Sequence, residues 1–79
     1  MVKIHDYWHK EPRREFYLAK DRIANLIDDV VLFHGEWAWN NMPLKERYQI
    51  IEDTIRDNCT SLTEEEIKLL IRIEQAKEG

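Results

Sequence analysis

Apolar residues recur from Phe16 onward as Phe16, Ala19, Ile23, Leu26, Val30 and Phe33, in steps of three, four, three, four and three. Only an α-helix places residues at that spacing on one face, so this run predicts a long amphipathic helix. Tyr17, Ala24, Ile27, Val31 and Leu32 widen the stripe beyond one face. A helix apolar over more than one face must meet more than one neighbour, which predicts a central position. Pro12 suits the first turn, where its missing N–H costs nothing. Gly35 suits the stop, since glycine tolerates positive φ. The predicted helix therefore covers 12–34. Asp28 and Asp29 fall on its solvent side.

Two further helices follow by the same reasoning. Leu44, Tyr48, Ile51 and Ile55 recur at helical spacing after Pro43 and predict a helix over 43–58. Asn41 or Met42 would cap it, asparagine being the better acceptor for an orphan N–H. Thr63 followed by Glu66 is a capping box, and Leu62 with Ile67 would form a hydrophobic staple. Glu64 and Glu65 favour the positive end of the helix dipole. These signals open a third helix over 63–78, whose apolar side holds Ile67, Leu69, Leu70, Ile71, Ile73 and Ala76. So broad an apolar share suggests burial on two sides or pairing with another chain.

The chain has 79 residues, with only two Gly and two Pro. That length allows a single domain, 1–79. The scarcity of turn residues argues against a many-stranded β fold and excludes a glycine-rich phosphate loop. The expected fold is all-α: a small antiparallel three-helix bundle joined by short connections. Residues 1–11, aromatic and basic, are expected to form an N-terminal arm or a short extra helix. No apolar run could span a bilayer, and the start lacks the apolar core of a signal peptide, so a cytoplasmic protein is expected.

The size already bears on chemistry. A domain this small buries little more than ~60% of its unfolded surface, so it has few core atoms to yield to a substrate cavity. This favours a binding protein over an enzyme. Catalytic constellations are also missing from the sequence. Cys59 has Asp57, Asn58 and Thr60 as neighbours, which supply neither a base nor positive charge. It reads as a small apolar residue closing the second helix. Asp28-Asp29, Glu52-Asp53 and Glu64-Glu65-Glu66 are surface or cap patterns, not carboxylates held in unlike environments. Ser61 has no glycine elbow. His5 and His9 stand four apart, as metal ligands on a helix can, with His34 as a distant third. Structural zinc takes four ligands and no thiolate partner is evident, so no metal and no cofactor are expected.

Charge is uneven. Residues 1–22 carry +2 and residues 23–79 carry −6, for a net charge of −4. A DNA-reading helix-turn-helix is disfavoured because Glu64, Glu65 and Glu66 would stand where phosphates must lie. The basic arm is the better nucleic-acid candidate: Tyr7 and Trp8 could stack on bases while Lys10, Arg13 and Arg14 meet phosphates. Trp37 and Trp39 are the most informative pair. In an extended connector both rings would point the same way, capping the core or forming an anchor patch. In a domain of this size one ring is expected inside and one partly exposed.

The expected function is that of a small acidic interaction module, an adapter or inhibitor of the kind found among bacterial and phage accessory proteins. It would dock on a larger protein through Trp37, Trp39 and Glu36, with Tyr7 and Trp8 as further contacts. Nucleic-acid mimicry by Glu52, Asp53, Asp57 and Glu64 to Glu66 is a weaker variant. An RNA- or single-strand-binding accessory using the basic arm is the alternative. A structural homo-oligomer, possible as a homodimer through the third helix, is the second alternative.

Overall fold

The computed structural model describes residues 13–78. Among them there are four helices and no strands: α1 (Arg14–His34), α2 (Glu36–Asn41), α3 (Leu44–Asn58) and α4 (Glu64–Ala76). The three long helices form the expected bundle. α3 runs antiparallel to its neighbours and pairs most closely with α4, and α1 packs against α2, α3 and α4. Each long helix thus touches the other two, and α1 also meets α2. α1 and α4 run in the same direction. Arg13 meets Glu66 at their starts, while Trp39, beside His34 at the end of α1, reaches Glu78 just past the end of α4.

The core is built from one face of each helix. Phe16, Ala19, Ile23 and Ile27 of α1 meet Ile51 and Ile55 of α3 and Ile67, Leu70 and Ile71 of α4. Trp39, Cys59 and Leu62 close it from the connections. Leu69 and Ile73 are half-buried against this core. The second apolar side of α4 is therefore partly covered within one chain.

The caps differ in how they are made. At α4 the Thr63 hydroxyl accepts the Glu66 N–H at 3.2 Å and the Glu66 carboxylate accepts the Thr63 N–H at 3.0 Å, the predicted capping box. Leu62 and Ile67 are both buried beside it, as the staple requires. At α3 the expectation of a cap from Asn41 or Met42 is corrected. Pro43 is the cap residue, its carbonyl accepting from Glu46 and Arg47 N–H groups. Asn41 is instead the last residue of α2, and its Nδ2 donates to the Trp37 carbonyl at 2.8 Å. The helix predicted over 63–78 ends at Ala76, with Lys77 and Glu78 in a turn. The one predicted over 12–34 starts at Arg14. Pro12 and the arm of residues 1–11, with Tyr7, Trp8, Lys10, His5 and His9, lie outside the described residues.

The segment read as an extended connector is a helix. Gly35 makes this possible. Its N–H donates to the Val31 and Leu32 carbonyls, closing α1, and its carbonyl accepts the Trp39 N–H at 2.9 Å, opening α2. One residue caps both helices at φ 91° and ψ 138°. L side chains rarely adopt that conformation, so glycine is required by the turn.

Candidate functional site

α2 decides where the two tryptophans go. Residues two apart on a helix are separated by about 200°, so their side chains leave on nearly opposite sides. In a strand they would share a side. Trp39 is accordingly 3% exposed and Trp37 is 78% exposed. The expectation of one ring in and one ring out is observed. The expectation that both could anchor a partner is corrected for Trp39, which belongs to the core. Its Nε1–H donates to Glu78 Oε1 at 3.0 Å, and the same oxygen accepts from Arg47 Nη1 at 3.1 Å. This satisfies the one polar handle that a buried indole brings with it.

Trp37 has apolar company. Leu32 is 74% exposed and Phe33 88% exposed, although both were assigned to the buried stripe of α1. Leu32 lies five residues after the buried Ile27, about 140° round the helix and so on the face away from the core. For Phe33 the reason is length. α1 has 21 residues and α4 has 13. At 1.5 Å per residue α1 is about 12 Å longer, and the two start at the same level. The last turn of α1 therefore runs past the core, and apolar periodicity continues where no neighbour remains to cover it. α2 turns back from this point and covers one side with Trp39, leaving Leu32, Phe33 and Trp37 outside. Tyr17 and Leu44, also read as core positions, are exposed as well. They stand apart from the corner in sequence.

Three large apolar side chains thus project within six residues at the corner between α1 and α2. Phe33 lies edge-on to His34 with centroids 5.8 Å apart, and His34 in turn lies 5.8 Å from Trp39. Glu36, exposed, precedes Trp37 at the start of α2.

The basic candidates fare differently. Arg13 is held by the fold. Its Nη2 donates to Glu66 Oε1 at 2.8 Å, its Nε to Glu66 Oε2 at 3.1 Å, and its backbone N–H to the same Oε2 at 3.2 Å. Its Nη2 also reaches the Ser61 carbonyl at 3.3 Å. This fork lashes the start of α1 to the start of α4, and a phosphate contact would have to displace it. Hydrogen bonding from Arg13, with the Thr63 N–H, lowers the Glu66 carboxyl to about 2. Arg14 is exposed. Lys10, Tyr7 and Trp8 lie outside the described residues.

The acids offered as phosphate mimics are partly neutralised. Arg56 pairs with Glu52 and with Glu64 at 3.0 Å each, and Glu66 pairs with Arg13. Hydrogen bonding from Arg56 lowers the Glu64 carboxyl. A mimic needs its charges facing outward, and three of the six named here are engaged by arginine.

Cys59 closes α3 and is buried. Burial pushes its thiol up from the ordinary value, partly offset by Arg22. That is the setting of an inert structural thiol. Among the described residues no group of three or more His, Cys, Asp or Glu is placed to hold a metal ion. Nor is any helix among them long and apolar enough to cross a membrane. Comparison of the chain with known protein families, with curated proteins and with solved structures found no match.

Proposed function

We propose that this protein is a small helical interaction module, an adapter or inhibitor that docks on a larger protein through the α1–α2 corner. The carrying observation is the exposure of Leu32, Phe33 and Trp37, at 74%, 88% and 78%. Scattered single apolar residues on a surface need no explanation, but three large ones within six positions do. Tryptophan and other aromatics supply the anchors of interface hot spots, because they bury a large area at low entropic cost. The corner is also built to hold them. Gly35 fixes the turn, and Trp39 pins α2 to the core, so the exposed rings are displayed on a rigid base and not on a free loop. A partner then meets little ordering cost.

The nucleic-acid alternative is less well supported, because Arg13 is committed to Glu66. The test is capture from source lysate, with and without nuclease, by the wild type and by a Phe33→Ala/Trp37→Ala variant. A protein retained by the wild type through nuclease treatment and lost by the variant is the expected result. Equal retention by both, or a bound fraction that vanishes with nuclease, would overturn the reading.

A further inference from the structure

The charge around the corner selects the kind of partner. From Ile23 to Leu44 the chain contains no Lys and no Arg. Its charged residues there are Asp28, Asp29 and Glu36, all three exposed. Among the described residues none of these carboxylates takes part in an ion pair. Elsewhere Glu52, Glu64, Glu66, Glu74 and Glu78 are each matched by a nearby cation, and the other six described carboxylates, Glu15, Asp21, Glu46, Asp53, Asp57 and Glu65, each have a Lys or Arg within three residues along the chain. On α1, Asp29 stands three residues before Leu32 and four before Phe33, and Asp28 stands four before Leu32. Residues at these spacings are surface neighbours, with Cβ atoms ~5–6 Å apart. Glu36 adjoins Trp37. The apolar side chains therefore lie inside an acidic rim.

We infer that the α1–α2 corner docks into an apolar cleft of a partner protein whose rim carries Lys or Arg, with Phe33 and Trp37 entering the cleft and Asp29 and Glu36 meeting the rim. This rests on the docking role proposed above and adds the partner's chemistry. A second copy of this chain is the poorer occupant, because a symmetric contact through this corner would bring Asp29 and Glu36 of one copy against the same acids of the other, and like-charge juxtaposition opposes association. Complementary charge at such a rim acts mainly on the rate of encounter and on the choice of partner.

The test uses two amphipathic helical peptides of about 18 residues with the same Leu/Phe face. One carries Lys on its polar face and the other carries Glu. Each is titrated into the full chain labelled with nitrogen-15. The Lys peptide is expected to shift amide signals of residues 28–37 and to bind at least ~10-fold more tightly than the Glu peptide, an advantage lost at high salt. Asp29→Lys/Glu36→Lys should reverse that preference, and Phe33→Ala/Trp37→Ala should bind neither peptide. Since all four positions are exposed, unchanged circular dichroism will verify that the variants are folded. Equal binding of the two peptides, or Lys-peptide shifts centred on Glu64 and Glu65 instead, would overturn the inference. A photoreactive residue at position 37 provides a second check. In the protein alone, cross-links to another copy or to residues 1–12 would identify a different occupant and also overturn it. The two readings fail separately. Lysate capture that depends on Phe33 and Trp37, without any charge preference, would remove the basic rim and leave the docking role. Capture indifferent to both residues would remove the docking role itself.

Discussion

Replacing the buried Glu66 by alanine should cost substantial stability, because its carboxylate joins the start of α1 to the start of α4. Its carboxylate accepts from four donors: the Thr63 N–H, the Arg13 N–H, and Nε and Nη2 of Arg13. The residue is itself buried. Losing the carboxylate half of the capping box, with the Thr63 hydroxyl still capping the N–H of residue 66, costs about 0.5–1 kcal/mol. Leaving partly buried N–H groups without their acceptor costs about 1–2 kcal/mol more. The Arg13 guanidinium is half-exposed, so water replaces the carboxylate there and adds little. Glu66→Ala should therefore lose about 1.5–3 kcal/mol, which for a domain of this size lowers Tm by roughly 10–20 °C. Urea unfolding followed by circular dichroism measures the loss directly. A second signature is its pH dependence. The Glu66 carboxyl titrates at about 2 in the folded protein, against ~4.3 in an unfolded chain. A depressed carboxylate contributes stability that is fully present above the unfolded value and is lost as pH falls through the folded one. The difference in stability between wild type and Glu66→Gln should therefore shrink below about pH 4 and vanish near about pH 2. An unfolding free energy for Glu66→Ala within ~0.5 kcal/mol of wild type would refute the reasoning, as would a wild-type advantage over Glu66→Gln that ignores pH across that window.

Further expectations concern the connections. Trp39→Ala should destabilise by about 3–5 kcal/mol and Trp37→Ala by less than ~0.5 kcal/mol, by denaturant unfolding; similar losses would contradict their assignment to opposite sides of α2. Gly35→Ala should cost on the order of 1–2 kcal/mol from backbone conformation alone, because a Cβ there would meet nothing within 4 Å. Thermal melts measure this, and a loss above ~4 kcal/mol would mean a steric conflict. Cys59 should react with a thiol reagent at least ~100-fold more slowly in native buffer than in denaturant, since modification requires opening of the bundle. Fast native labelling would show the thiol to be accessible.

The helices were readable in the sequence because their causes are local. The three-four spacing, the Thr63–Glu66 box and the stop at Gly35 each act within a few residues, and α1, α4 and the C-terminal end of α3 fall close to where those signals place them. What escaped the reading depends on neighbours. Phe33 continues the three-four periodicity of α1, and the shorter length of α4 leaves it uncovered, whereas Leu32 lies on the face away from the core. The Arg13–Glu66 fork joins residues 53 apart, so no spacing rule announces it. Arg13 therefore looked like a free cation, and Glu66 like a cap alone. The helix over Glu36–Asn41 is invisible to periodicity because six residues give too few turns. Its helical state follows from the bonds that Gly35 makes in both directions. One local signal bears on the proposed docking corner, the absence of any Lys or Arg from Ile23 to Leu44 around exposed aromatics.

The central claim is that Phe33 and Trp37 are anchors for a protein partner. Calorimetric titration of the captured partner against wild type, Phe33→Ala/Trp37→Ala and the exposed control Lys68→Ala measures this directly. Two hot-spot side chains contribute at least ~2 kcal/mol each. The double variant should therefore bind at least ~100-fold more weakly, with Lys68→Ala unchanged. Affinities of all three within about threefold of one another would contradict the account.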